Sequence, residues 1–246
     1  MTDLAGTASD YFGSLIEEYD SLIRRAVPMY DTMLAAVLEY LPADPRRGLE
    51  LGCGTGNFTL ALARRDPGCH WMGVDASEEM VELTRARLAS AHPDVRVDVD
   101  VGRFEELAFD PGTFDVVTSC ISLHHVADKA ALFERLRPML APGGSLCFAD
   151  QFTGAAARVA DRYWARWLEH CRLPGQCSEE EIDHLLEHAE AHDHYESLAA
   201  CAGHLRRAGF VDVDYVWRDG MWAVVTAEAP TSAEVPSTAE APANAP

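Results

Sequence analysis

Nine consecutive residues, Leu49-Glu50-Leu51-Gly52-Cys53-Gly54-Thr55-Gly56-Asn57, constrain this chain more than any other stretch. A short apolar run meets glycines at alternate positions, and a helix-compatible run follows. Glycine takes positive φ without a steric penalty and lets backbone approach a ligand closely. A strand that turns through such a loop into a helix aims backbone N–H groups at whatever sits above it. The stretch therefore reads as a nucleotide-type cofactor loop. The dinucleotide fingerprint needs its third glycine three positions after the second. Here that position is Asn57. Glu50 lies just inside the loop, where a carboxylate suits a cofactor bearing a cation better than a bare pyrophosphate. Asp75, ending the next apolar run, is placed to accept two hydrogen bonds from ribose hydroxyls.

The flanking sequence predicts strands alternating with helices. The expected strands are Leu49–Leu51, His70–Val74, Val95–Val101, Phe114–Cys120 and Ser145–Ala149. Val95–Val101 alternates apolar with acidic residues and reads as an exposed or edge strand. Ser77 is a natural cap for the helix after the second strand, and Pro142-Gly143-Gly144 stops the helix of residues 128–140. Residues 151–196 break the rhythm with two helices, near 155–171 and 179–191, the second opened by a Ser178/Glu181 capping box. A helix over 197–207 ends at Gly209. Two β-rich runs, Phe210–Trp217 and Met221–Thr226, then flank Asp219-Gly220, a strong hairpin signal. The fold class is α/β: a doubly wound, mostly parallel seven-stranded sheet with an antiparallel last strand and a helical lid inserted between strands 5 and 6. Before the glycine loop, residues 1–45 carry two helices that cover the site from one side. Residues 227–246, rich in Ala, Pro, Glu, Thr and Ser, read as a disordered tail.

Charge narrows the partners. Acidic residues number 40 and basic residues 20, a formal net charge of −20. Nucleic-acid binding rests on Lys and Arg, so no nucleic-acid partner is expected. Seven cysteines, an odd number with no zinc-type spacing, fall mostly in apolar runs. No run approaches the ~20 apolar residues of a membrane span. Neither a signal peptide nor a membrane anchor is read at the start, and a reduced, cytoplasmic protein is expected, as a monomer or homodimer.

Several ordered motifs together resemble one family. Leu49–Asn57 is similar to motif I of the class I S-adenosylmethionine-dependent methyltransferases. The likeness continues in register through Val74-Asp75-Ala76-Ser77, Gly102-Arg103-Phe104-Glu105-Glu106-Leu107, Phe114-Asp115-Val116-Val117, Leu123-His124-His125-Val126 and Leu140-Ala141-Pro142-Gly143-Gly144. It covers about Leu49 to Asp150, and residues 46–226 are then the methyltransferase domain, with 151–196 as its lid. The resemblance implies S-adenosyl-L-methionine as cofactor. It carries Glu50, Gly52, Cys53, Gly54, Asp75, Ala76 and Met80 over as cofactor contacts, with Cys120 beside the methionine part. Many relatives have Asp after the glycine at position 102, where it bonds the adenine amino group. Arg103 cannot accept that bond. Either Arg103 or Phe104 stacks on the adenine, or Arg103 faces solvent and Phe104 caps the pocket. Arg24–Tyr30 is similar to the segment before motif I in the carboxy-S-adenosylmethionine synthase branch, which implies that Arg25 and Tyr30 approach the cofactor carboxylate.

Methyl transfer asks the enzyme to position a nucleophile and exclude water. A base is needed only where the acceptor must lose a proton. His124 and His125, at the carboxyl edge of the sheet, are the candidates. His184, His188 and His192 share one helix face, but three in a row span ~12 Å and cannot all reach one ion; two with a carboxylate can. No metal is assigned. Instead the His192-Asp193-His194-Tyr195 end is expected to turn toward the pocket and touch substrate through His192, His194 and Tyr195. Trp164 with its aromatic neighbours is either acceptor wall or core. The expected activity is methyl transfer to a small molecule. The alternatives are a carboxy-S-adenosylmethionine synthase-like or tRNA-modifying enzyme, and a non-catalytic regulatory subunit that binds the cofactor.

Overall fold

The computed structural model describes residues 18–91 and 95–231. The expected leader over residues 1–10, the start of the first helix and most of the expected tail lie outside these. Helix α1 (18–26) and α2 (Tyr30–Tyr40) precede the sheet. Then come β1 (Arg47–Leu51), α3 (Asn57–Arg65), β2 (His70–Asp75), α4 (Glu78–Ala91), β3 (Val97–Val101), β4 (Phe114–Cys120), α5 (Lys129–Met139) and β5 (Leu140–Gln151). The chain continues through α6 (Ala157–Cys171), α7 (Glu179–His192), α8 (Leu198–Arg207), β6 (Val211–Asp219) and β7 (Trp222–Glu228).

The strand order is β3-β2-β1-β4-β5-β7-β6, with β7 antiparallel to both neighbours and the other strands sharing one direction. This is the expected sheet. The chain reverses its winding between β1 and β4, so the β1 and β4 carboxyl ends open a crevice where ligands bind in such folds.

Strand alternation sorts the core. Leu49 and Leu51 face a cluster formed with Leu132, Phe133, Leu136 and Leu205 of α5 and α8. On the opposite face Trp71, Cys147 and Val224 meet Met33 and Val37 of α2, Leu62 of α3 and Trp167 of α6. Burying a large apolar side chain contributes about 1.5–3 kcal/mol, so these two faces supply most of the driving force. The period-two pattern that places the leucines on one face turns Glu50 to the other.

Local chemistry sets the element ends. Ser178 and Glu181 form the expected capping box on α7. Ser77 Oγ accepts from Met80 N at 3.3 Å, and Asp128 caps α5. Two boundaries differ from expectation. Strand β5 begins at Leu140, directly after α5, and carries Pro142-Gly143-Gly144 in a bulge: Phe114 pairs with Leu140, but Val116 pairs with Ser145. Strand β7 runs two residues past Thr226, because Ala227 and Glu228 still pair with Leu146 and Ser145. Ala229 N then donates to Gly144 O at 2.8 Å, and Pro230, which has no N–H, follows. At both sheet edges the chain spells Val-Asp-Val-Asp: residues 97–100 on β3 and 211–214 on β6, with the aspartates exposed.

Candidate active site

Gly52, Gly54 and Gly56 all take positive φ (76°, 51° and 80°) as the loop leaves β1. At Gly52 a Cβ would stand 2.1 Å from Ser122 Oγ and 3.4 Å from the Phe104 ring, so the loop fits beneath both only without a side chain. Asp75 Oδ2 accepts from Gly54 N and Oδ1 accepts from Ser77 N, each at 2.9 Å. One carboxylate thus ties the loop to the start of α4. Above the loop is a cavity whose floor is Gly52–Thr55 and whose walls are Cys120–Ser122, Tyr30 of α2, and Tyr19, Asp20 and Ile23 of α1. Tyr30 Oη accepts from Asn57 Nδ2 at 2.9 Å, and Asp20 accepts from Thr55 Oγ1 at 2.6 Å and from Arg87 at 2.5 Å. Burial pushes the Cys53 and Cys120 thiols up, so both stay protonated.

Glu50 lies beneath this floor, 0% exposed, with neither carboxylate oxygen hydrogen-bonded. Burial in the sheet pushes its pKa up to about 8, and Asp75 adds to the rise. The structure therefore puts an uncharged carboxyl at rest under the loop. Met80, Ala76 and Arg103 do not line the cavity. Arg103 is exposed and faces Glu105 at 3.9 Å, while Phe104 packs against the core beside the loop. Arg25 is bound elsewhere: its guanidinium pairs with Glu181 of α7 at 2.7 Å and donates to Gln176 O at 2.6 Å.

A second cavity, of about 200 Å³, opens beside the first under α6 and α7. Tyr19, Ile23 and Ile121 line both, so the two cavities adjoin along these residues. Ile121 follows β4 at φ 58°, a left-handed conformation that is a genuine outlier for a β-branched residue. Its N–H donates to Ala149 O at 2.9 Å, which holds the outlier in place at the junction.

Trp164, Trp167, Tyr195 and Trp222 supply the apolar wall. Trp164 meets Trp167 and Tyr195 edge-on, at centroid distances of 5.6 and 5.7 Å. The opposite end is polar. His124, buried, sets Nδ1 2.6 Å from Asp150 Oδ1, and its backbone N donates to Asp150 Oδ2 at 3.0 Å. Asp193 brings Oδ1 to 3.0 Å from His125 Nδ1, 3.8 Å from His124 Nε2 and 4.0 Å from His188 Nε2, while Tyr195 donates to Oδ2. Burial disfavours the His124 imidazolium, but Asp150 and Asp193 outweigh it and raise the pKa. Burial likewise works against ionised Asp193, yet its His and Tyr partners hold it below the usual carboxylate range.

The two expected base candidates thus sit at the polar end of one chamber, with Tyr195 and Trp164 on its wall. His192 is exposed, its ring 5.0 Å from His188, and His194 reaches the chamber only through its backbone, donating to His124 O at 2.7 Å. Neither lines the cavity. The residue pattern does not point to Asp150, to Asp193 as a convergence point, or to Tyr19 and Ile121. Asp150 carries a usable signal, an acid closing a buried parallel strand as Asp75 does. Ile121 carries none.

Comparison with known proteins bears on the fold and the family. A model of the methyltransferase domain matches residues 49–144. The carboxy-S-adenosyl-L-methionine synthase of Aeromonas hydrophila is 29% identical over 205 residues, covering 81% of this chain and 82% of that protein. The ubiquinone biosynthesis O-methyltransferase of Xanthomonas campestris is 40% identical over 127 residues, half of this chain and 52% of its own. Phosphoethanolamine N-methyltransferase 2 of Haemonchus contortus, solved with S-adenosyl-L-methionine, shares the fold at a TM-score of 0.62 and 18% identity, covering 82% of this chain and 53% of that one. Motif order, sheet and relatives agree: residues 49–144 match a methyltransferase domain, and together they support a class I S-adenosylmethionine-dependent methyltransferase with S-adenosyl-L-methionine as its cofactor.

Proposed function

We propose that the enzyme methylates a small molecule held in the aromatic chamber, with S-adenosyl-L-methionine in the cavity above the glycine loop. The observation that carries this reading is that the two cavities adjoin, with Tyr19, Ile23 and Ile121 as their common wall. A methyl donor in one cavity and a nucleophile in the other would approach each other across these residues, as a displacement at carbon needs. The aromatic wall takes an apolar body, and the His/Asp end takes the acceptor's polar atom. No Lys or Arg is among the described residues lining either cavity, while Asp20 and Asp193 line them and Asp75 lies against the loop beneath. That field favours a sulfonium cation.

A carboxy-S-adenosylmethionine synthase-like activity is the second reading, prompted by the long alignment with such an enzyme. It must hold a carboxylate-bearing reactant, and the absence of a lining Lys or Arg among the described residues, with Arg25 committed to Glu181, counts against it. Labelled cofactor incubated with phenols, thiols, amines and carboxylates decides among the readings. Conversion to S-adenosylhomocysteine with at least one acceptor is expected. A carboxylated nucleoside product selects the second reading, and tight cofactor binding with no turnover across the panel selects a regulatory subunit.

A further inference from the structure

We infer that the polar end of the chamber is a divalent transition-metal site of the zinc type, held by His124 Nε2, His125 Nδ1 and Asp193 Oδ1, with His188 at its approach. The site rests on this geometry alone; only its role rests on the methyl-transfer reading.

Three observations point to a cation at this spot. First, the three donor atoms lie within 4.8 Å of one another. Two ligands about 2.1 Å from a tetrahedral zinc stand about 3.4 Å apart, and the observed 3.0 and 3.8 Å separations from Asp193 Oδ1 bracket that edge. Second, Asp193 Oδ1 is inaccessible to solvent and accepts no hydrogen bond, although three imidazole nitrogens converge on it within 4.0 Å. The side chain as a whole is 6% exposed. Of the three, His125 Nδ1 is the nearest, at 3.0 Å. A buried carboxylate oxygen left this way costs free energy unless a cation completes it.

Third, the supporting groups already hold the ligands as a metal would need them. Asp150 Oδ1 stands against His124 Nδ1, so when a metal displaces a proton from the ring it is Nε2 that offers its lone pair. Nε2 is the atom that faces Asp193. A carboxylate behind a histidine, fixing its tautomer for a metal in front, is the usual outer arrangement of such centres. Tyr195 does the same for Asp193, occupying Oδ2 and leaving Oδ1. Two imidazoles and one carboxylate suit zinc and its neighbours rather than magnesium or calcium, which prefer all-oxygen sets.

The set is not the one the His-rich helix suggests. His184 and His192 stay outside, and the ligands come from the turn after β4 and from the residue just past α7. Three protein ligands leave a position facing the chamber. A hydroxyl or thiol bound there loses its proton more readily beside the cation. The acceptors this favours are oxygen or sulfur nucleophiles on an apolar body.

The test uses untagged full-length protein, stripped with chelator and titrated with Zn2+ by calorimetry and with Co2+ by visible absorption. One ion per chain is expected, with the cobalt bands of a four- or five-coordinate N/O site. Asp193→Asn and His125→Ala should each weaken Zn2+ binding by more than the about 10- to 100-fold expected for the outer variant Asp150→Asn. His70→Ala, which alters an exposed histidine of β2 paired with Asp98, should leave binding unchanged. Circular dichroism and S-adenosyl-L-methionine affinity are measured on every variant. Retained cofactor binding with lost metal binding supports the site. Zn2+ binding equal in wild type and Asp193→Asn, or equally reduced by His70→Ala, overturns it. Loss of cofactor binding in the wild type would fail the methyl-transfer reading instead and leave the metal titration to stand.

Discussion

The two cavities share a wall but are built on different principles. The floor of the cavity above the glycine loop is made of consecutive residues: a strand end, left-handed glycines and the approach to a helix, tied by Asp75. The shape of that floor is backbone. The acceptor side draws single side chains from α1, the turn after β4, the end of β5, α6 and α7. Its shape is side chain, and its backbone serves only to hold those residues in place. The difference teaches where change is tolerated. A backbone cradle fails when any atom is added to it. A side-chain chamber changes its preference residue by residue while the fold continues underneath.

The largest effect should come from the floor itself. Glu50 is protonated in the folded chain up to about pH 8 but ionises near its ordinary value of 4.5 once unfolded. Below pH 4.5 both states hold the proton. Between 4.5 and 8 only the folded state holds it, so each rise in pH favours unfolding by at most about 1.4 kcal/mol per unit. Above 8 the slope ends. Cofactor-free melts of Glu50→Gln should lose this slope; an unchanged slope would mean the carboxyl is not neutral in the fold.

Next, Gly52→Ala should weaken S-adenosyl-L-methionine binding by about 100-fold, on the order of 3 kcal/mol, since the new Cβ meets Ser122 Oγ in a conformation alanine resists. Calorimetry showing normal affinity would break the distinction between cradle and chamber. Trp164→Ala removes two edge-on aromatic contacts from the chamber. Acceptor KM should rise about tenfold, the equivalent of roughly 1.4 kcal/mol, with cofactor affinity within about twofold of wild type. Steady-state kinetics in which both constants move together would show that the walls are not separable. Arg25→Ala should matter least, about 1 kcal/mol or less in thermal stability, because its pair with Glu181 is partly solvated. A large drop in cofactor affinity there would restore Arg25 as a cofactor contact.

The same contrast explains which parts of the molecule are legible in the amino-acid sequence. Glycine spacing, the capping box at Ser178, the Asp219-Gly220 hairpin and the alternating edge strand each express physics within a few residues, and each appears in the fold. The strand order follows, because alternating strands and helices leave few ways to wind. The chamber does not follow. That His124 and His125 face Asp193, nearly seventy positions later, depends on how α7 ends against the β4 turn, and no local pattern carries it. Arg25 shows the converse error: a likeness in seven residues points to the cofactor, and a partner on α7 takes the side chain. Ile121 shows the limit, since a β-branched residue at positive φ is what local preference argues against.

The paired Val-Asp-Val-Asp strands carry a consequence for how the molecule behaves among its own copies. An open sheet offers unsatisfied backbone groups along each margin, an invitation for another chain to dock and extend it. Here both margins present exposed aspartates at every second residue, on a molecule whose formal net charge is already −20. Two such margins brought together would face carboxylate with carboxylate whichever ends met. Charge thus disfavours extension of the sheet at these margins by a second copy.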